Sequence, residues 1–174
     1  NPLWDEDIYG LHDVFRTVAR LRNRMMGRPI DFAIDGPAQG LWTASRLHHY
    51  PRGLGFMAPH KDDTFASLPG ELGFYAYVQI TIVLSRRGTD YERGGAYFVH
   101  DGARVYFEEE YEIGDLVLYD GRAVHGVEVV DDHFPPDRDS SAGRLAAFLP
   151  RLVVLDVRLD LGAGEHHACV SYPG

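Results

Sequence analysis

The chain has 174 residues, with 26 acidic and 17 basic side chains and a formal charge of −9. That imbalance argues against nucleic acid as a partner, because phosphate binding calls for a basic stripe. There is no run of about 18 apolar residues, so no membrane span is expected.

The length suggests a single domain over 1–174, and 45% apolar content is enough for a real core. Cys169 is the only cysteine, so no intrachain disulfide can form. No secretory signal is visible, and a cytoplasmic setting is the expectation.

In chain order, residues 5–26 read as an amphipathic helix. Ile8, Leu11, Val14 or Phe15, Val18, Leu21 and Met25 recur at helical spacing, and Gly27 and Pro29 supply the stop. The arginines of RTVARLRNRMMGR fall mostly off that stripe and read as one face of a helix rather than a phosphate site. The period then changes. LWTASRLHHY is extended in character, PRG is a turn, and GFYAYVQITIVLS is the longest strand candidate. Short strands follow in GGAYFV, ARVYFE, DLVLYD, AVHGVEVV and RLAAFLPRLVVLDVRL, separated by turn signals, with Pro150 as a bulge or break. The β core spans about 41–160. Many short strands and one early helix suggest a β-sandwich or open barrel. Residues 131–143, DDHFPPDRDSSAG, form a polar loop between strands.

His60, Asp62 and His125 carry the chemistry. In an extended segment residues two apart share a face, so His60 and Asp62 can reach one ion while Lys61 points away. His125 lies far downstream on the strand RAVHGVEVV, with enough chain between to cross the fold and return. Two neutral imidazoles and one carboxylate suit Fe(II) and leave positions open for chemistry. Zinc can use similar ligands, usually for hydrolysis. The doublet His48–His49 makes no easy chelate, because neighbours on a strand face opposite sides. The same holds for His166–His167 beside Cys169.

From RLHHYPRGLGFMAPHKDD through YVQITIVLSRRGTDYERGGAYFV and EIGDLVLYDGRAVHGVEVV to SSAGRLAAF, about 45–158, the chain resembles the Fe(II)/2-oxoglutarate-dependent oxygenases. The resemblance implies a double-stranded β-helix, a cupin-like jelly-roll, with iron held by His60, Asp62 and His125. It also implies an arginine on the strand after the distal histidine that binds the far carboxylate of 2-oxoglutarate. Arg144 matches best, with Arg138 and Arg151 as rivals. An arginine fork can meet a carboxylate through two parallel hydrogen bonds. Tyr77 and Gln79 share one face of the long strand with Tyr75 and Thr81 and are further candidates for cosubstrate contacts. Gly94 and Gly95 match the family's turn before an inner strand and permit tight backbone geometry. Halogenating members replace the carboxylate with a small residue; Asp62 therefore favours hydroxylation or a related oxidation.

The implied activity uses Fe(II), 2-oxoglutarate and O2, releases succinate and CO2, and hydroxylates a small soluble metabolite such as an amino acid or natural-product intermediate. Desaturation and ring closure stay open. Trp42, Arg46 and His48 share a predicted strand face suited to a carboxylated or planar substrate, and His133 in the polar loop is a further candidate contact. Two other classes remain: a cupin-like metalloenzyme that does not use 2-oxoglutarate, and a non-catalytic β-sandwich binding module. Oligomeric state is not readable from the sequence.

Overall fold

The computed structural model describes residues 1–62 and 77–149, and the backbone of 151–153. The helix expected over 5–26 is confined to α1, His12–Met25. Asp7 ends it early: its carboxylate accepts the N–H of Leu11 at 2.9 Å and of His12 at 3.0 Å. The chain turns sharply just before, at Gly10 (φ 67), a backbone region that L-residues avoid. An acidic side chain at this end also complements the helix dipole.

The buried face of α1 differs from the predicted stripe. Phe15, Val18, Ala19, Arg22 and Asn23 are buried, whereas Ile8, Val14, Leu21 and Met25 are exposed. The two polar residues are inside because they satisfy main-chain carbonyls. Arg22 donates to Thr43 Oγ1 at 2.7 Å and to the carbonyl of Leu149 at 3.2 Å. Asn23 donates to the carbonyls of Ile30 and Phe32 at 2.8 and 2.9 Å, which holds the loop after the helix. Arg22 is therefore part of the buried face, although the basic side chains were expected mostly off the apolar stripe.

The strands are β1 (Leu41–Thr43), β2 (Arg46–Pro51), β3 (Met57–His60), β4 (Val78–Val83), β5 (Gly95–His100), β6 (Ala103–Tyr106), β7 (Leu116–Asp120), β8 (His125–Glu128), β9 (Gly143–Phe148) and β10 (Arg151–Val153). They form two four-stranded sheets, β2-β9-β4-β7 and β3-β8-β5-β6, and a β1-β10 ribbon. All pairings within them are antiparallel. The mainly β architecture is the expected one, and it is compatible with a β-sandwich. Residues 73–76 of the longest strand candidate, including Tyr75, lie outside the described residues. So do Pro150, residues 154–160 and the terminal His166, His167 and Cys169. Among the described residues no helix is long and apolar enough to cross a membrane.

Alternation along the strands gives the first sheet two different faces. Ile80 and Ile82 of β4 and Ala147 of β9 pack with Phe15, Val18 and Ala19 of α1 in one apolar cluster. The opposite face carries Gln79 paired with Tyr119, Thr81 paired with Phe148, and Tyr50 paired with Arg144. Tyr50 in turn packs with Ala96 and Val127 of the second sheet, with Met57 alongside. The helix thus covers the outside of one sheet, and the space between the sheets is lined partly by polar side chains.

Candidate metal centre

His60 and His125 face each other across β3 and β8, where the register shifts between Met57 and His60. Asp62 follows directly after β3. Its N–H donates to the carbonyl of Gly121 at 2.7 Å, which fixes it beside the turn between β7 and β8. One ligand atom from each of His60, Asp62 and His125 lies within 4.8 Å of the others, so the three could hold a metal ion together. The structure thus brings together the three residues that the spacing argument picked out.

The orientation of the imidazoles is as informative as their proximity. His60 Nδ1 lies 2.9 Å from the carbonyl of Ala58, and His125 Nδ1 lies 2.8 Å from that of Ala123. A carbonyl only accepts, so Nδ1 is the donor in both rings, and in the neutral tautomer this leaves the lone pair on Nε2. Both Nε2 atoms point at the same carboxylate: His60 Nε2 is 3.7 Å from Asp62 Oδ1, and His125 Nε2 is 3.7 Å from Oδ2. An imidazole whose outer N–H is held by a carbonyl is the usual arrangement of a metal-binding histidine. Burial lowers the pKa of His125, against the opposing pull of the Ala123 carbonyl and the Asp62 charge. The neutral, ligating form is favoured.

Aromatic walls surround the group. The Tyr119 ring lies 5.1 Å from that of His125 and 5.0 Å from that of Phe98. Burial and then the charge of Asp62 push the Tyr119 phenol well above its ordinary pKa, so it stays protonated. Gly121 leaves no spare room: a Cβ there would fall 2.9 Å from Asp62 Cβ, 3.1 Å from Asp62 Oδ2 and 3.2 Å from Gln79 Cγ. Gln79 is thereby placed next to Asp62. Tyr77 is buried with its ring under the Arg122 guanidinium at 4.8 Å, and its carbonyl accepts the Gly121 N–H at 2.8 Å.

Arg144 faces the space between the sheets and is 1% exposed, but its fork is already engaged. Nε donates to Glu108 Oε1 and Oε2 at 2.8 and 2.9 Å, and Nη2 donates to Oε1 at 2.5 Å. Nη1 is buried without a hydrogen-bond partner among the described residues. Glu108 also accepts from the Tyr91 hydroxyl at 2.6 Å and the Ala96 N–H at 3.0 Å. Despite its burial, the Arg144, Tyr91 and Ala96 donors hold its carboxyl below the ordinary glutamate pKa, so the pair is ionic. Of the rival arginines, Arg138 borders an open groove of about 680 Å³, and Arg151 lies on β10 opposite Thr43.

The candidate substrate residues are not gathered at one place. Trp42 is buried on β1 with its ring 5.5 Å from that of Trp4. Arg46 and His48 are on β2, a separate strand. His48 lines the same groove as Arg138, together with Phe56 and Met57. Burial, Arg46 and Arg144 lower its pKa to about 4, so it is neutral at physiological pH. His133 sits 3.3 Å from Glu92 in an ion-pair position in the loop after β8.

Sequence reasoning missed Glu108, Phe98, Tyr119 and Gly121. Glu108 is the first of three consecutive glutamates, and the other two are exposed; nothing in FEEEYE marks it as the buried one. Phe98 and Tyr119 had a weak signal, as inward positions of strands that alternate. The chain matches no protein-family model and no curated protein.

Proposed function

We propose that the protein is a mononuclear non-haem iron oxygenase that uses 2-oxoglutarate and O2 to hydroxylate a small-molecule substrate. The observation that carries this reading is the convergence of two Nδ1-anchored imidazoles on one carboxylate. Two nitrogens and one oxygen on one side of an ion suit Fe(II) and leave other positions open. The strand order supports it as well. Sheets ordered β2-β9-β4-β7 and β3-β8-β5-β6 place consecutive strands mostly in alternate sheets, the pattern of a double-sheet jelly roll. We read the fold as a double-stranded β-helix on that basis.

Iron bound here would activate O2 and couple oxidative decarboxylation of 2-oxoglutarate, to succinate and CO2, to insertion of one oxygen atom into the substrate. The protein's own part is positional. His60, Asp62 and His125 would hold the metal. Arg144 Nη1, which has no hydrogen-bond partner among the described residues, would donate to the far carboxylate of the cosubstrate, and Gln79 and Tyr119 border the metal ligands. Phe98 and Tyr119 keep water from one side of the centre. The same chemistry can also serve desaturation or ring closure.

A second reading draws on Glu108. Because it occupies the Arg144 fork, a cupin-like metalloenzyme that takes no 2-oxoglutarate fits the same metal triad. Anaerobic titration of metal-free protein with Fe(II) and then 2-oxoglutarate separates the two. A visible charge-transfer band that needs both additions and is lost in His125→Ala is the expected result. Tight iron binding without the band favours the cupin-like reading. Folded protein that binds no iron removes both enzyme readings and leaves a binding module.

A further inference from the structure

We infer that Glu108 is a specificity-determining residue of this site: by pairing with Arg144 from the side it makes that end of the interior electrically neutral toward a 2-oxo acid. This rests on the 2-oxoglutarate reading above. An arginine that binds a free dicarboxylate usually offers two parallel N–H groups and an unmatched positive charge. Here Glu108 takes Nε and one N–H of Nη2 and matches the positive charge, while Nη1 and the second N–H of Nη2 stay open.

Glu108 is built in rather than a placeholder for the cosubstrate. Three separate parts of the chain hold it: Arg144 on β9, the Tyr91 hydroxyl, and the Ala96 N–H on β5. The backbone closes around it as well. A Cβ at Gly95 would fall 2.8 Å from Glu108 Oε2, and Gly95 has φ 107, so this approach needs glycine. An incoming acid that displaced Glu108 would strand a buried carboxylate beside the Tyr91 hydroxyl and the Ala96 N–H, which is strongly unfavourable. The carboxylate therefore stays on Arg144 when a ligand binds. N–H donors with no net charge behind them reward any carbonyl acceptor, charged or not.

The test compares 2-oxoglutarate with its 5-methyl ester, which keeps a carbonyl acceptor at the far end but carries no charge there. Each is titrated anaerobically into the Fe(II)-loaded protein, read by the charge-transfer band and by the shift in melting temperature. In the unaltered protein the two affinities are expected to lie within about tenfold of each other. In Glu108→Gln, which keeps the shape but removes the charge, the preference for 2-oxoglutarate is expected to widen by about tenfold or more. A larger preference in the unaltered protein overturns the inference, as does an unchanged ratio in folded Glu108→Gln. If that variant does not fold, the ratio in the unaltered protein decides alone. A band with neither acid refutes the 2-oxoglutarate reading itself, a result distinct from a band whose affinity ratio is wrong.

Discussion

His60 and His125 stand opposite each other on β3 and β8, their ring centroids 4.3 Å apart, and each gives its Nδ1–H to the carbonyl two residues before it. The same local device thus orients both imidazoles, although the residues come from distant parts of the chain. Asp62 completes the group from the end of β3. Replacing any one of the three should abolish stoichiometric Fe(II) binding. Without the mutation, a metal held at about a hundred times its Kd should add about 2.7 kcal/mol of stability. Calorimetric titration and melting with and without metal read both effects. Metal-independent melting of the unaltered protein would remove the centre.

Gly121→Ala tests the wall behind Asp62. The added methyl would press on Asp62 and Gln79, while the Gly121 backbone is outside the left-handed region. The fold should survive, and metal affinity should fall by about tenfold or more, the scale typical of disturbed outer-shell support. Paired melting and metal titrations separate the two. Equal affinity in the variant would show that Asp62 is free to move aside.

Asp131 gives the acid side of the stability curve. It is fully buried and accepts the N–H groups of Glu92 and Arg93 and the Nε of Arg52. Although burial works against it, these donors depress its pKa below the ordinary carboxylate value. Its contribution is complete above the unfolded pKa near 4 and is lost as pH falls through the lower, folded value. Asp131→Asn can keep the left-handed backbone (φ 51). It should cost about 1–3 kcal/mol at neutral pH, and the difference from the unaltered protein should shrink toward pH 2. Urea melts at several pH values measure this; a pH-independent difference would exclude the charge as the cause.

Arg22→Ala should destabilise the protein by about 2–4 kcal/mol, since it removes bonds to Thr43 and Leu149 from the buried face of α1. Leu21→Ala, on the exposed face of the same helix, should cost well under half as much. Chemical denaturation of the two variants compares them. A larger loss for Leu21 would restore the apolar stripe first read from the sequence.

That helix shows why some features were not legible in the sequence. An apolar period of three to four residues marks a helix, but it cannot say which of two overlapping stripes meets a sheet. Val14 and Phe15 were equal candidates, and contact with β4 and β9 decided for Phe15. Arg22 was read as lying off the buried stripe because charged side chains generally do, and nothing in the pattern marked Asn23. They are inside because the carbonyls that satisfy them come from residues 30, 32 and 149.

The candidate metal ligands were legible for a local reason. An H-x-D pair in an extended segment presents two donors to one side, and a histidine inside a β-forming run has a defined inward or outward direction. The strands were legible through their alternation and the turns between them. Sequence by itself therefore determined the β-rich class and most strand positions, and it picked out His60, Asp62 and His125 as a group that could hold a metal ion. Only the tertiary structure decided that one glutamate of three in a row would be buried against Arg144, that Gly121 would stand behind Asp62, and that both imidazoles would expose Nε2. These outcomes depend on pairing between segments far apart in the chain, and a local pattern carries no record of its long-range partner.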